Sequence, residues 1–224
     1  MKFPIILTDH DDTAVDSTPT IHHPAHVEQM KRLGMESHIK SVEEWFRINY
    51  DPGLHHFMNE ELRLDEEQQK LCYEIWRRHT AGIDPPFFEG ILELLSEVTR
   101  RGGSVFVVSH SEETIISRHY RNQSIVPGFH PRGIYGWTGD PEKAKPGVWP
   151  VEDIISRYGF RSEEMIMIDD LKPGITMARN AGISSIGAAW SHAIGEIRED
   201  LGRIADVVFE SVDEAAAWLL EPRN

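Results

Sequence analysis

The sequence predicts an α/β protein, a doubly wound parallel sheet interrupted near its start by a helical insertion. Three observations carry that expectation. Short continuous apolar runs end in polar or acidic residues, as strands buried on both faces do. Helical patterns lie between those runs, which parallel strands require of their connections. The rhythm then fails over residues 17–86, where His, Glu, Arg and Trp recur at helical spacing and no buried strand is legible.

Taken in order, Ile5-Ile6-Leu7 is the first strand and runs out at Asp9. The insertion follows, expected to lie over the strand ends. Its clearest helix covers residues 66–79, with Leu71, Ile75 and Arg78 along one stripe. Trp45, Phe46, Tyr50, Phe57 and Trp76 supply a small core of its own, and the Glu-rich stretch 62–70 reads as a solvated helix face. Asp84-Pro85-Pro86 closes the insertion like a hinge. Next come a helix carrying Ile91, Leu92, Leu95 and Val98, stopped by Gly102-Gly103, and a second strand over 104–108 ending at Ser109. A third strand, 165–168, ends at Asp169 and Asp170, and a helix covers 174–181. Weaker runs at 184–189 and 206–209 precede a last helix over 212–220. The expected domains are therefore a core of residues 1–16 and 87–224 and a helical unit of residues 17–86.

The chain has 224 residues, a length that suits one domain with a modest insertion. Its 23 Lys and Arg against 37 Asp and Glu leave a net charge of −14, which argues against nucleic-acid backbones and anionic membranes as partners. Cys72 is the only cysteine, so neither an internal disulfide nor a cysteine zinc site is available. The amino-terminal apolar run is too short for a secretory signal, and none approaches the roughly 20 residues of a membrane span. The expected setting is cytoplasmic. Oligomeric state is not legible.

A doubly wound sheet gathers its chemistry at the carboxyl ends of its strands. There it would bring together Asp9, Asp11, Ser109, Asp169 and Asp170, with Lys145 from the segment between the second and third strands. Four converging carboxylates repel, so either a divalent cation or bound protons must compensate them. A donor set of hard oxygens, with no Cys or obligatory His, favours magnesium over zinc.

This arrangement resembles the haloacid dehalogenase superfamily of phosphotransferases over nearly the whole chain. The first motif is the strand ending Asp9-His10-Asp11-Asp12-Thr13, and the second is Phe106-Val-Val-Ser109. Lys145-Pro146 is the third, and Ile168-Asp169-Asp170-Leu-Lys-Pro-Gly174 the fourth. Each is weak alone; four in this order are specific. The resemblance implies a Rossmann-like core with a helical cap, and a magnesium-dependent phosphatase acting on a small phosphorylated metabolite through an aspartyl-phosphate. It is nearest to the capped subfamily of phosphoglycolate phosphatase and β-phosphoglucomutase.

The roles implied are as follows. Asp9 is the nucleophile. Asp11 is the general acid and base. Mg2+ lies among Asp9, the Asp11 main-chain carbonyl, Asp169 and Asp170. Ser109 binds a phosphoryl oxygen, Lys145 neutralises charge and keeps Asp9 ionised, and Thr13 supports the loop with its hydroxyl. His10 and His110 directly follow proposed catalytic residues and are candidates to contact substrate, by ring or by main-chain amide. Arg47 and His23 are weaker candidates to read the leaving group. His22, His23 and His26, and the pair His55-His56, read as structural or surface groups.

Retention of Asp11 favours phosphate ester chemistry, because relatives that cleave carbon–halogen bonds lack an acid there. Two residues depart from the pattern. Asp12 stands where many relatives have Gly, at a turn that can need a positive φ. Gly174 stands where another version of the fourth motif has Asp. The rival readings are a phosphomutase acting on a sugar phosphate, a phospho-accepting signalling module, whose motifs would run in a different order, and a silent relative that binds a partner.

Overall fold

The computed structural model describes residues 1–222. The chain divides into two compact units, residues 1–15 with residues from 87 on, and residues 16–86.

The larger unit opens with β1 (Ile5–Thr8). The smaller unit then contributes α1 (His23–Arg32), α2 (Val42–Tyr50), the short α3 (Leu54–His56) and α4 (Glu66–Gly82). The chain re-enters the larger unit with α5 (Ile91–Arg100), β2 (Ser104–Val108), α6 (Glu113–Asn122), β3 (Gly133–Tyr135) and α7 (Trp149–Tyr158). It finishes with β4 (Met165–Asp169), α8 (Lys172–Ala181), β5 (Ser184–Ala188), α9 (Gly195–Ile204), β6 (Val207–Phe209) and α10 (Val212–Leu220). Among the described residues no helix is long and apolar enough to cross a membrane.

The strands form one six-stranded sheet in the order β3-β2-β1-β4-β5-β6, with every pair parallel. The winding reverses beside β1, which pairs with β2 on one edge and β4 on the other. Thr8 stands level with Val107 and Ile168, so Asp9, Ser109, Asp169 and Asp170 emerge at one end of adjacent strands.

Strand period explains why these runs are apolar throughout. Ile6, Val105, Val107, Ile166 and Ile168 face one layer with Leu92, Leu95 and Ile116. Ile5, Leu7, Phe106, Met165 and Met167 face the other with Val151, Ile154 and Met177. Both faces are covered, and each such side chain contributes about 1.5–3 kcal/mol by leaving water.

Helix ends follow local chemistry. Pro150 and Pro173 sit in the first turns of α7 and α8, where a missing N–H costs nothing. The Ser211 hydroxyl caps α10 by accepting from the Glu214 amide. The helix expected to start at 174 starts two residues earlier, at Lys172. Asp206 falls outside β6 and instead accepts hydrogen bonds from the Ser185 amide and hydroxyl, at 2.8 and 3.0 Å.

In the smaller unit, capping boxes start α2 at Ser41–Glu44 and α4 at Asp65–Gln68. Its core joins Met30, Trp45, Phe57, Leu62, Leu64 and Cys72. The stripe expected on α4 is displaced: Cys72, Ile75 and Thr80 are buried, while Arg78 is exposed and pairs with Glu28. The stretch 62–70 is not one solvated helix face, because Leu62 and Leu64 pack inward before α4 begins. Trp76 is half-buried, and its indole N–H donates to His22 Nδ1 at 3.1 Å. His23 Nε2 bonds the Lys40 carbonyl at 2.8 Å, and Arg47 pairs with Glu43. The two ends of this unit are stitched together: Val15 bridges Phe87 antiparallel, and the Asp16 amide donates to the Pro86 carbonyl at 2.9 Å.

His26 gives the smaller unit a pH dependence. It is 1% exposed, stacks on Trp45 with ring centroids 4.2 Å apart, and accepts the Lys40 amide at Nε2. Burial, aided by His23 and Lys40, pushes its pKa down from 6.5 to about 4. A base whose folded pKa is depressed loses stability as pH falls, here from about 6.5 toward 4. The loss at pH 4 is expected to reach up to about 3 kcal/mol. Denaturant unfolding followed by tryptophan fluorescence at pH 7 and pH 4.5 checks it, and His26→Gln should flatten the pH slope.

Candidate active site

The loop after β1 is held by its own backbone and by side chains from later strands. The amides of Ala14 and Val15 both donate to the His10 carbonyl, and the Asp12 amide donates to the Val15 carbonyl. The tight turn places Asp12 at φ 54°, a left-handed conformation that Asp tolerates better than most residues. Thr13 Oγ1 donates to Asp170 Oδ1 at 2.9 Å and accepts from the Asp170 amide at 3.1 Å. The indole of Trp190, just past β5, donates to the Thr13 carbonyl at 3.0 Å. One threonine thus ties the end of β1 to the end of β4.

At the centre, Lys145 Nζ donates to Asp9 Oδ1 at 2.7 Å and to Asp169 Oδ2 at 2.6 Å. Side-chain exposures are 3% for Lys145, 6% for Asp9 and 0% for Asp169. Asp9, Asp169 and Asp170 each offer a carboxylate oxygen, all within 4.8 Å of one another. Asp11 is not in that group; its carboxylate accepts from the Ser111 hydroxyl instead.

The electrostatics follow from burial. One ammonium against three buried carboxylates leaves two negative charges uncompensated when all are ionised. Burial opposes the Lys145 charge, but Asp169 and Asp9 outweigh it and hold its pKa above the ordinary lysine value. Burial pushes the Asp169 carboxyl up to about 7, with Lys145 pulling down and Asp9 adding to the rise. Asp170 is raised well above the usual carboxylate range by burial, then by Asp169, Asp12 and Asp9. A small hard cation among these oxygens would relieve both effects, so the residues present fit a magnesium ion.

Gly174, in the first turn of α8, makes the packing possible. A Cβ there would lie 1.8 Å from Asp169 Oδ2 and 2.4 Å from its Cγ. The Leu171 amide holds the other oxygen of Asp169, Oδ1, at 2.8 Å. The glycine that departs from one version of the motif is therefore the residue that leaves room for the acidic pair.

Beyond β2, the Ser109 amide donates to the Tyr135 carbonyl of β3 at 3.0 Å. Ser109 is 5% exposed and does not cap α6, which starts at Glu113 behind Glu112. His110 is exposed, and its Nε2 bonds the Lys145 carbonyl at 2.9 Å, so the ring braces the lysine segment. His10 is buried; its Nε2 lies 2.9 Å from His119 Nδ1 on α6, with the rings stacked. Both histidines thus make protein contacts with the rings considered above for substrate.

Sequence reasoning missed Ser111 and His119. Ser111 had a signal, since its two-residue offset from Ser109 can keep both hydroxyls on one side of an extended segment. His119 had none: only the path of α6 brings it to His10.

The profile of the haloacid dehalogenase-like hydrolase family matches residues 6–188. Among curated proteins, a phosphoglycolate phosphatase of Xanthomonas campestris is 27% identical over 159 residues, covering 67% of this chain and 69% of that protein. A phosphoglycolate phosphatase of Vibrio vulnificus is 23% identical over 163 residues, 69% of each. Among solved structures, a predicted phosphatase from Clostridium acetobutylicum superposes with a TM-score of 0.80 at 19% identity, covering 99% of this chain and 100% of that one. A haloacid dehalogenase-like family hydrolase from Streptococcus pneumoniae gives 0.74 at 21% identity, covering 97% and 99%.

Proposed function

Because this chain belongs to the haloacid dehalogenase-like hydrolase family, we propose that it is a magnesium-dependent phosphatase of small phosphate monoesters. The observation that carries this reading is Lys145 bridging Asp9 and Asp169 inside a buried group of three carboxylates. An ammonium there offsets one of the three carboxylate charges and leaves two for one divalent cation to balance.

In this mechanism Asp9 attacks phosphorus and the ester P–O bond breaks. Asp11 delivers a proton to the departing oxygen, leaving an alcohol and an aspartyl-phosphate. Asp11 then takes a proton from water as that water attacks the phosphoryl group, which releases inorganic phosphate and regenerates Asp9. Ser109 donates a hydrogen bond to a phosphoryl oxygen, and Lys145 holds the nucleophile in place throughout. Magnesium would be held by Asp9, Asp169, Asp170 and the Asp11 main-chain carbonyl, and would supply positive charge against the phosphoryl oxygens. The unit at residues 17–86 serves as the substrate-selecting cap. The relatives' names make 2-phosphoglycolate the first metabolite to try.

The test is phosphate release from p-nitrophenyl phosphate and 2-phosphoglycolate, with magnesium and with chelator. Turnover should fall at least about 100-fold on chelation. Acid quenching should trap a phosphoryl group that hydroxylamine removes. Release indifferent to chelator, or none from any monoester, overturns the reading. A hexose 1-phosphate isomerised without free phosphate would replace it with a phosphomutase.

A further inference from the structure

We propose that Ser111 is a positioning residue for Asp11, fixing the carboxylate where it can pass a proton to the departing ester oxygen. The inference rests on the phosphatase reading above and adds to it a residue that none of the four motifs contains.

The two serines after β2 divide their hydrogens. The Ser111 amide donates to Ser109 Oγ at 3.2 Å, so Ser109 accepts there and keeps its own hydroxyl proton for another acceptor. Ser111 spends its proton on Asp11 Oδ2. One hydroxyl is thereby committed to the protein and the other is available to a phosphoryl oxygen. Two residues apart in sequence, they do different work.

Ser111 is also placed with little slack. It is 4% exposed, and its carbonyl accepts the Trp137 amide at 2.9 Å. Gly136 presses on the same backbone: a Cβ there would lie 2.6 Å from the Ser111 carbonyl oxygen and 2.5 Å from the Glu113 amide. The segment after β3 therefore clamps Ser111 from behind. Asp11, by contrast, is half-buried on a loop, and its carboxylate is not one of the oxygens that Asp9, Asp169 and Asp170 bring within 4.8 Å of one another. A charge-assisted hydrogen bond from a fixed hydroxyl is the anchor that such a side chain needs. Proton transfer demands this, since misplacement by about 1 Å can cost roughly 100-fold in rate.

The experiment compares kcat/KM, which reports the steps up to departure of the leaving group, for an alkyl phosphate and for p-nitrophenyl phosphate. An alkoxide needs a proton to leave; nitrophenolate does not. Ser111→Ala should lower kcat/KM for the alkyl ester about tenfold more than for the nitrophenyl ester. Ser111→Thr, which keeps the hydroxyl, should restore most of the loss. Added to Asp11→Asn, Ser111→Ala should cost nothing further, because the group it positions is gone. Equal losses on both esters, no loss on either, or additive losses in the double variant overturn the proposal and leave the phosphatase reading standing. A wild type that hydrolyses neither ester overturns both.

Discussion

Asp9→Asn is expected to lower turnover of p-nitrophenyl phosphate by roughly four to six orders of magnitude, as removal of a catalytic nucleophile does elsewhere. The substitution is close to isosteric. Asparagine keeps an oxygen that can accept from Lys145, which lies 2.7 Å from Asp9 Oδ1, and Lys145 also retains Asp169 at 2.6 Å. What is lost is the anion that attacks phosphorus. Stability should move the other way. In the chelated protein the change removes one of three mutually repelling carboxylates. The variant is expected to be as stable as the wild type or more so, by about 1 kcal/mol. Steady-state kinetics and denaturant unfolding on the same preparation check both halves. Residual activity above about 1% of wild type would remove Asp9 from the role of nucleophile.

Gly174→Ala should damage the same centre through geometry alone. The new methyl carbon would stand 1.8 Å from Asp169 Oδ2, where no carbon can remain. Asp169 is fully buried and held by Lys145 and the Leu171 amide, so relief requires that it swing off both partners or that α8 lift from β4. Either route should destabilise the protein by about 2–4 kcal/mol. A displacement of about 1 Å also costs roughly 100-fold in catalytic rate. Thermal unfolding with kinetics at varied magnesium separates the two, since a displaced Asp169 should raise the magnesium concentration needed for half-maximal activity. Alanine is otherwise favourable inside a helix, so a stabilised variant would show that this contact does not exist.

The same contact accounts for a choice visible in sequence. The carboxyl group of Asp169 fills the space that a side chain at position 174 would enter. In this chain, therefore, an acid at position 174 cannot be accommodated while Asp169 keeps its place.

How legible was this in the sequence? The central strands were plain, because Ile5, Phe106 and Met167 belong to segments covered on both faces and so carry no polar interruption. The edge strand β3 was not read: Gly133, Ile134 and Tyr135 are only half-buried, too short and mixed to stand out. On α4 only Ile75 of the expected stripe is buried; Cys72 and Thr80 complete the inward face, while the guanidinium of Arg78 pairs with Glu28 at the surface. Charged groups at strand ends were legible, since a sheet converts position along a strand into position in space. Contacts made by loops were not. The Ser111–Asp11 hydrogen bond and the brace from His110 to the Lys145 carbonyl depend on the paths of segments with no periodic signal.

The stitched ends of the smaller unit bear on how such a chain can change over generations. Val15 and Phe87 are bridge partners, and Asp16 and Pro86 share a backbone hydrogen bond. To the sheet, everything between them is equivalent to a hairpin loop, whatever its size. Loop closure grows only slowly with length, so the core is nearly indifferent to what is spliced there. The length of the segment between Val15 and Phe87 can therefore change while β1 and α5 keep their places in the larger unit.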